Sequence, residues 1–321
     1  MPDKQLTRPS PRLRVRFAAD PASVPGARRF VADGLTSWGI ASLVDDASLC
    51  VSELAANAAL HSASTYMEIE VQALDRMVRV SVEDDGMTPA EAVVPRAGFP
   101  GPDDARLELA DEPTTGRGLA IVSILASDWG VEKLGRGKRI WVELTEGADE
   151  HGVRQPRTTV AEDDDASPAG LPEGWVMVRL LGCPVELGLR QDQHLDELIR
   201  EFQLVQGDPR SQELAAEMAG LLSAPAHARH MGRQLSQEAA RQGKTHLDIE
   251  MAMPVEFGRE VAKLQEAVSA ADVLCEERRL LTLASSEELR LLRAWMTESV
   301  IGQAERAAEP VTWSDWLRRR R

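Results

Sequence analysis

The stretch from Leu43 to His61 constrains the fold more than any other part of the sequence. Val51, Leu54, Ala55, Ala56, Ala58, Ala59 and Leu60 make it apolar over most of a helical circumference, while Glu53, Asn57 and His61 recur every four residues and share one face. A helix this apolar has to be covered by a sheet or by other helices. A carboxylate and an amide on such a helix then need a reason to be there. A plain polar surface stripe is the competing reading of the same three residues.

The flanking segments supply a sheet. Leu13–Phe17, Tyr66–Ala73 and Met77–Asp84 alternate apolar and polar residues, as strands with one buried face do, and Pro21–Trp38 spaces Val24, Ala27, Phe30, Val31 and Leu35 as a helix. A Gly- and Pro-rich stretch runs from Gly86 to Gly116. Beyond it, Leu119, Ile121, Val122, Ile124 and Leu125 suit a helix, and Trp129–Leu134 with Arg139–Leu144 suit a closing hairpin across Gly135-Arg136-Gly137-Lys138. Helices on one face of a largely antiparallel sheet make this an α+β arrangement.

With 321 residues, 43% of them hydrophobic, the chain is long enough for two domains. Residues 146–172 are crowded with turn formers and charges, including the run Glu162-Asp163-Asp164-Asp165, and read as an acidic linker. That leaves domains over 13–145 and 173–305, with tails at 1–12 and 306–321. Lys plus Arg total 37 against 52 Asp plus Glu, and the balance of −15 argues against direct nucleic-acid or anionic-membrane binding. No window approaches the ~18 apolar residues of a membrane span. Cys50, Cys183 and Cys275 show no Cys-x-x-Cys spacing, which fits a reducing cytoplasm without disulfide or zinc.

Two further clusters bear on chemistry. Asp84-Asp85-Gly86-Met87-Thr88-Pro89 ends a predicted strand, and Thr114-Thr115-Gly116-Arg117-Gly118-Leu119 opens a predicted helix. Glycines at a helix start let backbone N–H groups approach a phosphate, and the helix dipole favours its charge. An ionised carboxylate only accepts hydrogen bonds, so it suits an adenine amino group. Each cluster alone reads equally as a turn, and neither matches the P-loop or the dinucleotide-binding pattern.

Taken together, Glu53-Leu-Ala-Ala-Asn57-Ala-Ala-Leu-His61, then Val82-Glu-Asp84-Asp-Gly86, then Thr115-Gly116-Arg117-Gly118-Leu119 with Trp129-Gly130 resemble the GHKL ATPase domain. The branch they look most like is the anti-sigma-factor serine kinases of actinobacterial type, and the resemblance covers roughly residues 13–145. It implies a Bergerat-type α/β sandwich binding ATP and Mg2+. By that resemblance Asn57 would hold the metal and Glu53 would be the general base. Asp84 would take the adenine amino group, with Gly86 leaving room for the base. Thr115, Gly116, Arg117, Gly118 and Leu119 would close on the phosphates, and residues 90–115 would form a lid. His61 would either pack the helix or touch phosphate.

Two positions depart from the family pattern. Thr88 stands where many relatives have a second glycine, and Arg139 stands where the last strand has Thr. If Arg139 points into the pocket, it meets a phosphate or crowds the base. The implied function is serine/threonine-protein kinase activity on an anti-sigma-factor antagonist, with a sigma factor as a second candidate partner and homodimerisation left open. The alternative is a nonenzymatic, ATP-responsive interaction module with a partly degenerate pocket. A third reading, the ATPase half of a two-component histidine kinase, is disfavoured by the order of the boxes.

The second half reads as mixed α/β and helix-rich. Strands are expected from Trp175 to Leu181 and from Thr245 to Met253. Helices are expected near Gln191–Val205, Ser211–Leu222, Ala226–Arg241, Pro254–Cys275 and Ser286–Ala304. His194-Leu-Asp-Glu-Leu-Ile-Arg resembles a phospho-acceptor box but follows the ATPase-like region instead of preceding it, so an exposed helical histidine is expected. His227 and His230 lack a third ligand for a metal, and Met177, Met218, Met231, Met251, Met253 and Met296 are expected in the core. The terminal Trp313 to Arg321 segment could dock on an acidic partner or on the first domain, or fray as a tail.

Overall fold

Period-two alternation in the first half becomes a sheet whose two faces differ in chemistry. The computed structural model describes residues 11–75, 77–89, 117–147, 155–160, 169–204 and 226–320, and the chain divides into two units, Met1–Glu173 and Gly174–Arg321. The expected lid, with Thr115 and Gly116, lies outside the described residues, as do the expected helix Ser211–Leu222 and Met218.

In the first unit, strands β1 (Arg12–Ala18), β2 (Tyr66–Leu74), β3 (Met77–Asp84), β4 (Asp128–Lys133), β5 (Lys138–Thr145) and β6 (Arg157–Val160) form one sheet in the order β1-β2-β3-β5-β4-β6. Every neighbouring pair is antiparallel except β4 with β6. Helices α1 (Val24–Ser37), α2 (Val44–His61) and α3 (Arg117–Leu125) accompany the sheet. Phe17, Met67, Ile69, Val80, Val142 and Leu144 from the strands are buried with Phe30, Val31, Leu35 and Leu54 from the helices. The opposite face carries cross-strand ion pairs, among them Arg14–Glu70 at 2.5 Å, Arg79–Glu143 at 2.5 Å and Arg139–Glu83 at 3.0 Å. Each contributes at most about 1 kcal/mol. Their value is in register, because a one-residue slip would bury the whole ladder.

The expected linker does more than connect. Residues Arg157–Val160 pair in parallel with β4 along one edge of the sheet. Gly170 meets the opposite edge, accepting from Arg14 N at 3.1 Å and donating to Arg12 O at 3.0 Å. The segment thus covers both edges that would otherwise present unpaired backbone. All four β6 residues are exposed, so the strand is held by main-chain pairing with β4 and by the Arg157–Asp128 ion pair at 2.7 Å, and no apolar period announces it.

In the second unit, β7 (Trp175–Pro184) and β8 (His246–Pro254) form a two-stranded antiparallel sheet. Helices α4 (Val185–Leu204), α5 (Ala226–Arg241), α6 (Phe257–Glu276), α7 (Glu287–Arg306) and α8 (Trp313–Arg320) pack around it. A mixed sheet and helices in the first unit, followed by this helix-rich unit, match the fold class expected from the sequence. Three expectations fail here. The terminal segment is not a frayed tail: Trp313 and Trp316 are buried in the same core as Trp295, with Trp313 and Trp295 ring centroids 5.6 Å apart. His194 is buried, not exposed, with Nε2 2.9 Å from Ser285 Oγ. Met177 is 43% exposed, so it leaves the core to Met231, Met251 and Met253.

Candidate functional site

The site is organised around α2. Asp45 and Asp46 in its first turn and His61 in its last complement the helix dipole, and alanines let its apolar sides approach both sheet and neighbouring helices. Glu53 and Asn57 sit half-buried on its remaining face, and among the described residues neither side chain has a hydrogen-bond or ion-pair partner. The Glu53 carboxylate lies against the start of α3. A Cβ placed on Gly118 would come 2.5 Å from Glu53 Oε2 and 3.3 Å from Glu53 Cβ, so a side chain there would push the carboxylate from its present position. Arg117 opens α3, and Leu119 is buried behind it.

The strand-end cluster is tied to the other end of α2. Ser62, immediately after the helix, donates its hydroxyl to Asp84 Oδ2 at 3.0 Å, and Ser64 donates to Oδ1 at 3.1 Å. Met87 N donates to Ser62 O at 3.1 Å, and Thr88 Oγ1 donates to His61 O at 2.8 Å. Thr88, at the position where relatives have glycine, therefore fastens the cluster to α2. Gly86 donates its N–H to Asp84 Oδ1 at 3.0 Å, and a Cβ there would lie 2.0 Å from Ser62 O. That side of Gly86 is filled by the chain itself.

Asp85 is held separately. Its carboxylate accepts from Thr65 N at 2.8 Å, Thr65 Oγ1 at 2.7 Å and Tyr66 N at 3.3 Å, with Arg136 at 3.2 Å. Burial alone would raise its pKa, but these hydrogen bonds and the guanidinium outweigh burial and hold it below the usual carboxylate range. In α2, burial pushes the Cys50 thiol up to about 12, helped by the Asp46 and Glu53 charges, so this sulfur is not a nucleophile.

The residue that sequence reasoning missed is Lys138. Arg139, expected as the intruder, lies on the far face of the sheet, paired with Glu83 at 3.0 Å and Glu132 at 3.3 Å. Lys138 stands directly across from Asp84 in the β3–β5 register, with Nζ 2.9 Å from Asp84 Oδ2 and 2.8 Å from Ser62 Oγ. Strand parity could have found it, because Lys138 shares a face with the buried Ile140, Val142 and Leu144.

These contacts test the fit to a magnesium nucleotide. The end near α3 fits: Asn57 offers a hard amide oxygen, Glu53 a carboxylate and α3 its N-terminal amides. The Asp84 end does not fit an adenine amino group, since the carboxylate is already engaged by Ser62, Ser64, Gly86 and Lys138.

Comparison with known families agrees with the sheet and helix layout. Residues 17–144 match the family model described as histidine kinase-like ATPase domain. No curated protein matches the chain. No helix among the described residues is long and apolar enough to cross a membrane. The matched span runs from β1 to β5 and takes in Glu53, Asn57, Asp84 and Lys138, so it is this part of the first unit that is similar to a histidine kinase-like ATPase domain.

Proposed function

We propose that this chain is a regulatory protein kinase of the anti-sigma-factor type, which phosphorylates a serine or threonine of an anti-sigma-factor antagonist. The observation that carries the reading is the contact of Glu53 with the start of α3 at Gly118, with Asn57 one turn further along the same face. Glu53 then takes the proton from the acceptor hydroxyl. Asn57 would hold Mg2+ through its amide oxygen, and the N-terminal amides of α3 would hold phosphate. A bound nucleoside triphosphate supplies the phosphoryl group.

The test uses the full chain, γ-labelled nucleoside triphosphate with Mg2+, and a total cell extract as the source of acceptor. Glu53→Ala is expected to lower transfer by about 10²–10⁴-fold while leaving nucleotide binding intact, the range for a general base. Unchanged transfer overturns the assignment. Asn57→Ala is expected to abolish the magnesium dependence of binding.

A second reading, a nucleotide-responsive interaction module without transfer, is favoured by one observation: the Asp84 carboxylate is engaged within the protein. Full nucleotide binding with no labelled protein in any extract would select it.

A further inference from the structure

In the second unit, the β7–β8 sheet and helices α4, α5, α6 and α7 line a cavity of about 180 Å³. Its wall is mostly apolar, with Ile249, Met251 and Met253 from β8, Val268 from α6, and Met296 and Val300 from α7. An apolar cavity of about 150 Å³ stays dry and takes up benzene, so this one has room for a ligand of that size or slightly larger. Three methionines let the wall adapt to the ligand's outline.

One end of the cavity is polar and short of acceptors. Gln191 of α4, 8% exposed, accepts from Arg293 Nη1 at Oε1 at 3.0 Å, and its amide N–H groups have no partner among the described residues. Ser236 of α5, 3% exposed, likewise has no hydrogen-bond partner for its hydroxyl among them. Arg293, bonded to Gln191 at this end, keeps its Nε–H buried without a partner. A Cβ on Gly188 would lie 3.4 Å from Ser236 Oγ, and Gln191 follows that glycine by three residues on the same face of α4, so the hydroxyl and the amide belong to one end of the cavity. Buried polar groups left without partners cost free energy, which an accepting ligand atom recovers. The charges on the lining are already matched: Arg229 by Asp192 at 2.7 Å, Arg233 by Asp196 at 2.6 Å and Arg293 by Asp272 at 3.1 Å. An ionic ligand finds no free counter-charge there.

We propose that this cavity is a binding site for a small uncharged molecule with an apolar body and one accepting oxygen, such as a ketone, held by the Gln191 amide and the Ser236 hydroxyl. The body covers the apolar wall and the oxygen supplies the missing acceptor. Water satisfies the polar end alone and leaves the apolar remainder empty. All lining residues belong to Gly174–Arg321, so the inference stands apart from the nucleotide reading.

The test is an NMR titration of the full-length protein with isotope-labelled methionine methyls, assigned by single Met→Leu variants. The probes are cyclohexanone, methylenecyclohexane, which has the same shape without the oxygen, and cyclohexanecarboxylate. Cyclohexanone is expected to shift the signals of Met251, Met253 and Met296 saturably, and to bind about three- to tenfold more tightly than methylenecyclohexane, the worth of one hydrogen bond. Ser236→Ala is expected to weaken binding of the ketone and leave that of the hydrocarbon unchanged. Gly232 lines the cavity, and a Cβ there would meet nothing within 4 Å. Gly232→Leu therefore fills space at a helix position that glycine weakens, and is expected to abolish binding of both neutral probes without lowering the thermal midpoint. No saturable shift with either neutral probe, equal affinity for the two, tighter binding of the carboxylate, or binding that survives in folded Gly232→Leu each overturns the inference. The comparison of probes on wild type decides by itself if a variant does not fold.

Discussion

Lys138 Nζ lies 2.9 Å from Asp84 Oδ2 across directly paired positions of β5 and β3, and both side chains are almost wholly buried. Removing one partner leaves an uncompensated buried charge, at a cost of about 3–5 kcal/mol, whereas removing both together costs far less. Asp84→Asn is therefore expected to lower the urea midpoint of the first unit sharply, and Asp84→Asn with Lys138→Met to recover most of the loss. The double-mutant cycle measures the pair, and additive losses would show that the two charges do not act as one unit.

The second unit has its own buried charge cluster. Arg293 donates to Asp272 Oδ2 at 3.1 Å and to Ser285 Oγ at 2.8 Å, and His194 meets Ser285 from the other side. Burial alone would raise the Asp272 carboxyl, but the His194 and Ser285 hydrogen bonds and the Arg293 charge pull it down to about 2. A carboxyl lowered on folding stabilises the folded state above its unfolded pKa, near 4, and that contribution is lost as pH falls through about 2. The amount is on the order of 2 kcal/mol. Urea midpoints of wild type and Asp272→Asn are expected to differ most at pH 6 and to converge toward pH 2. A gap that does not change with pH would show that Asp272 contributes through packing alone.

Trp316 carries the terminal helix. Its Nε1–H donates to Glu298 Oε2 at 2.6 Å, its ring stacks at 5.8 Å on Trp313, and the Arg320 guanidinium lies 4.3 Å over it. Trp316→Ala removes a buried aromatic and is expected to cost about 3–5 kcal/mol. Denaturation followed by tryptophan fluorescence measures it. A loss under about 1 kcal/mol would mean the terminal helix does not dock on Trp295 and Trp313.

How much was legible follows from which interactions leave a period. The strands of the first sheet were readable because Leu13, Ile69, Val80 and Val142 bury one face, and α2 was readable from its apolar circumference. Strand β6 was not, because none of its four residues is buried, and the main-chain bonds and the Arg157–Asp128 ion pair that hold it leave no apolar period. The three candidate boxes were visible as Glu53–Asn57, Asp84–Gly86 and Gly118, and the fold brings the described members together around α2. Lys138 has no local signature because its partners, Ser62 and Asp84, are distant in sequence, while the neighbouring Arg139 is answered on the outer face by Glu83 and Glu132. His194 escaped for the same reason, since Asp272, Ser285 and Arg293 come from α6, α7 and the turn between them. Long-range pairing of polar groups has no local signature, whereas apolar burial does.

The three cysteines give a last check on packing in both units. All are free and buried, and burial pushes Cys50 and Cys183 up to about 12 and Cys275 to about 11. Thiolate is the reactive form, so at pH 8 almost none is present on any of them. The native protein is expected to give no immediate reaction with an aromatic disulfide reagent, and three thiols on unfolding in guanidinium. Cys275 is 9% exposed against 0% for Cys50 and 1% for Cys183, so slow native labelling is expected to begin there, through local opening of α6. Prompt labelling of Cys50 would mean that α2 does not pack as described, and with it the placement of Glu53 and Asn57 would fall.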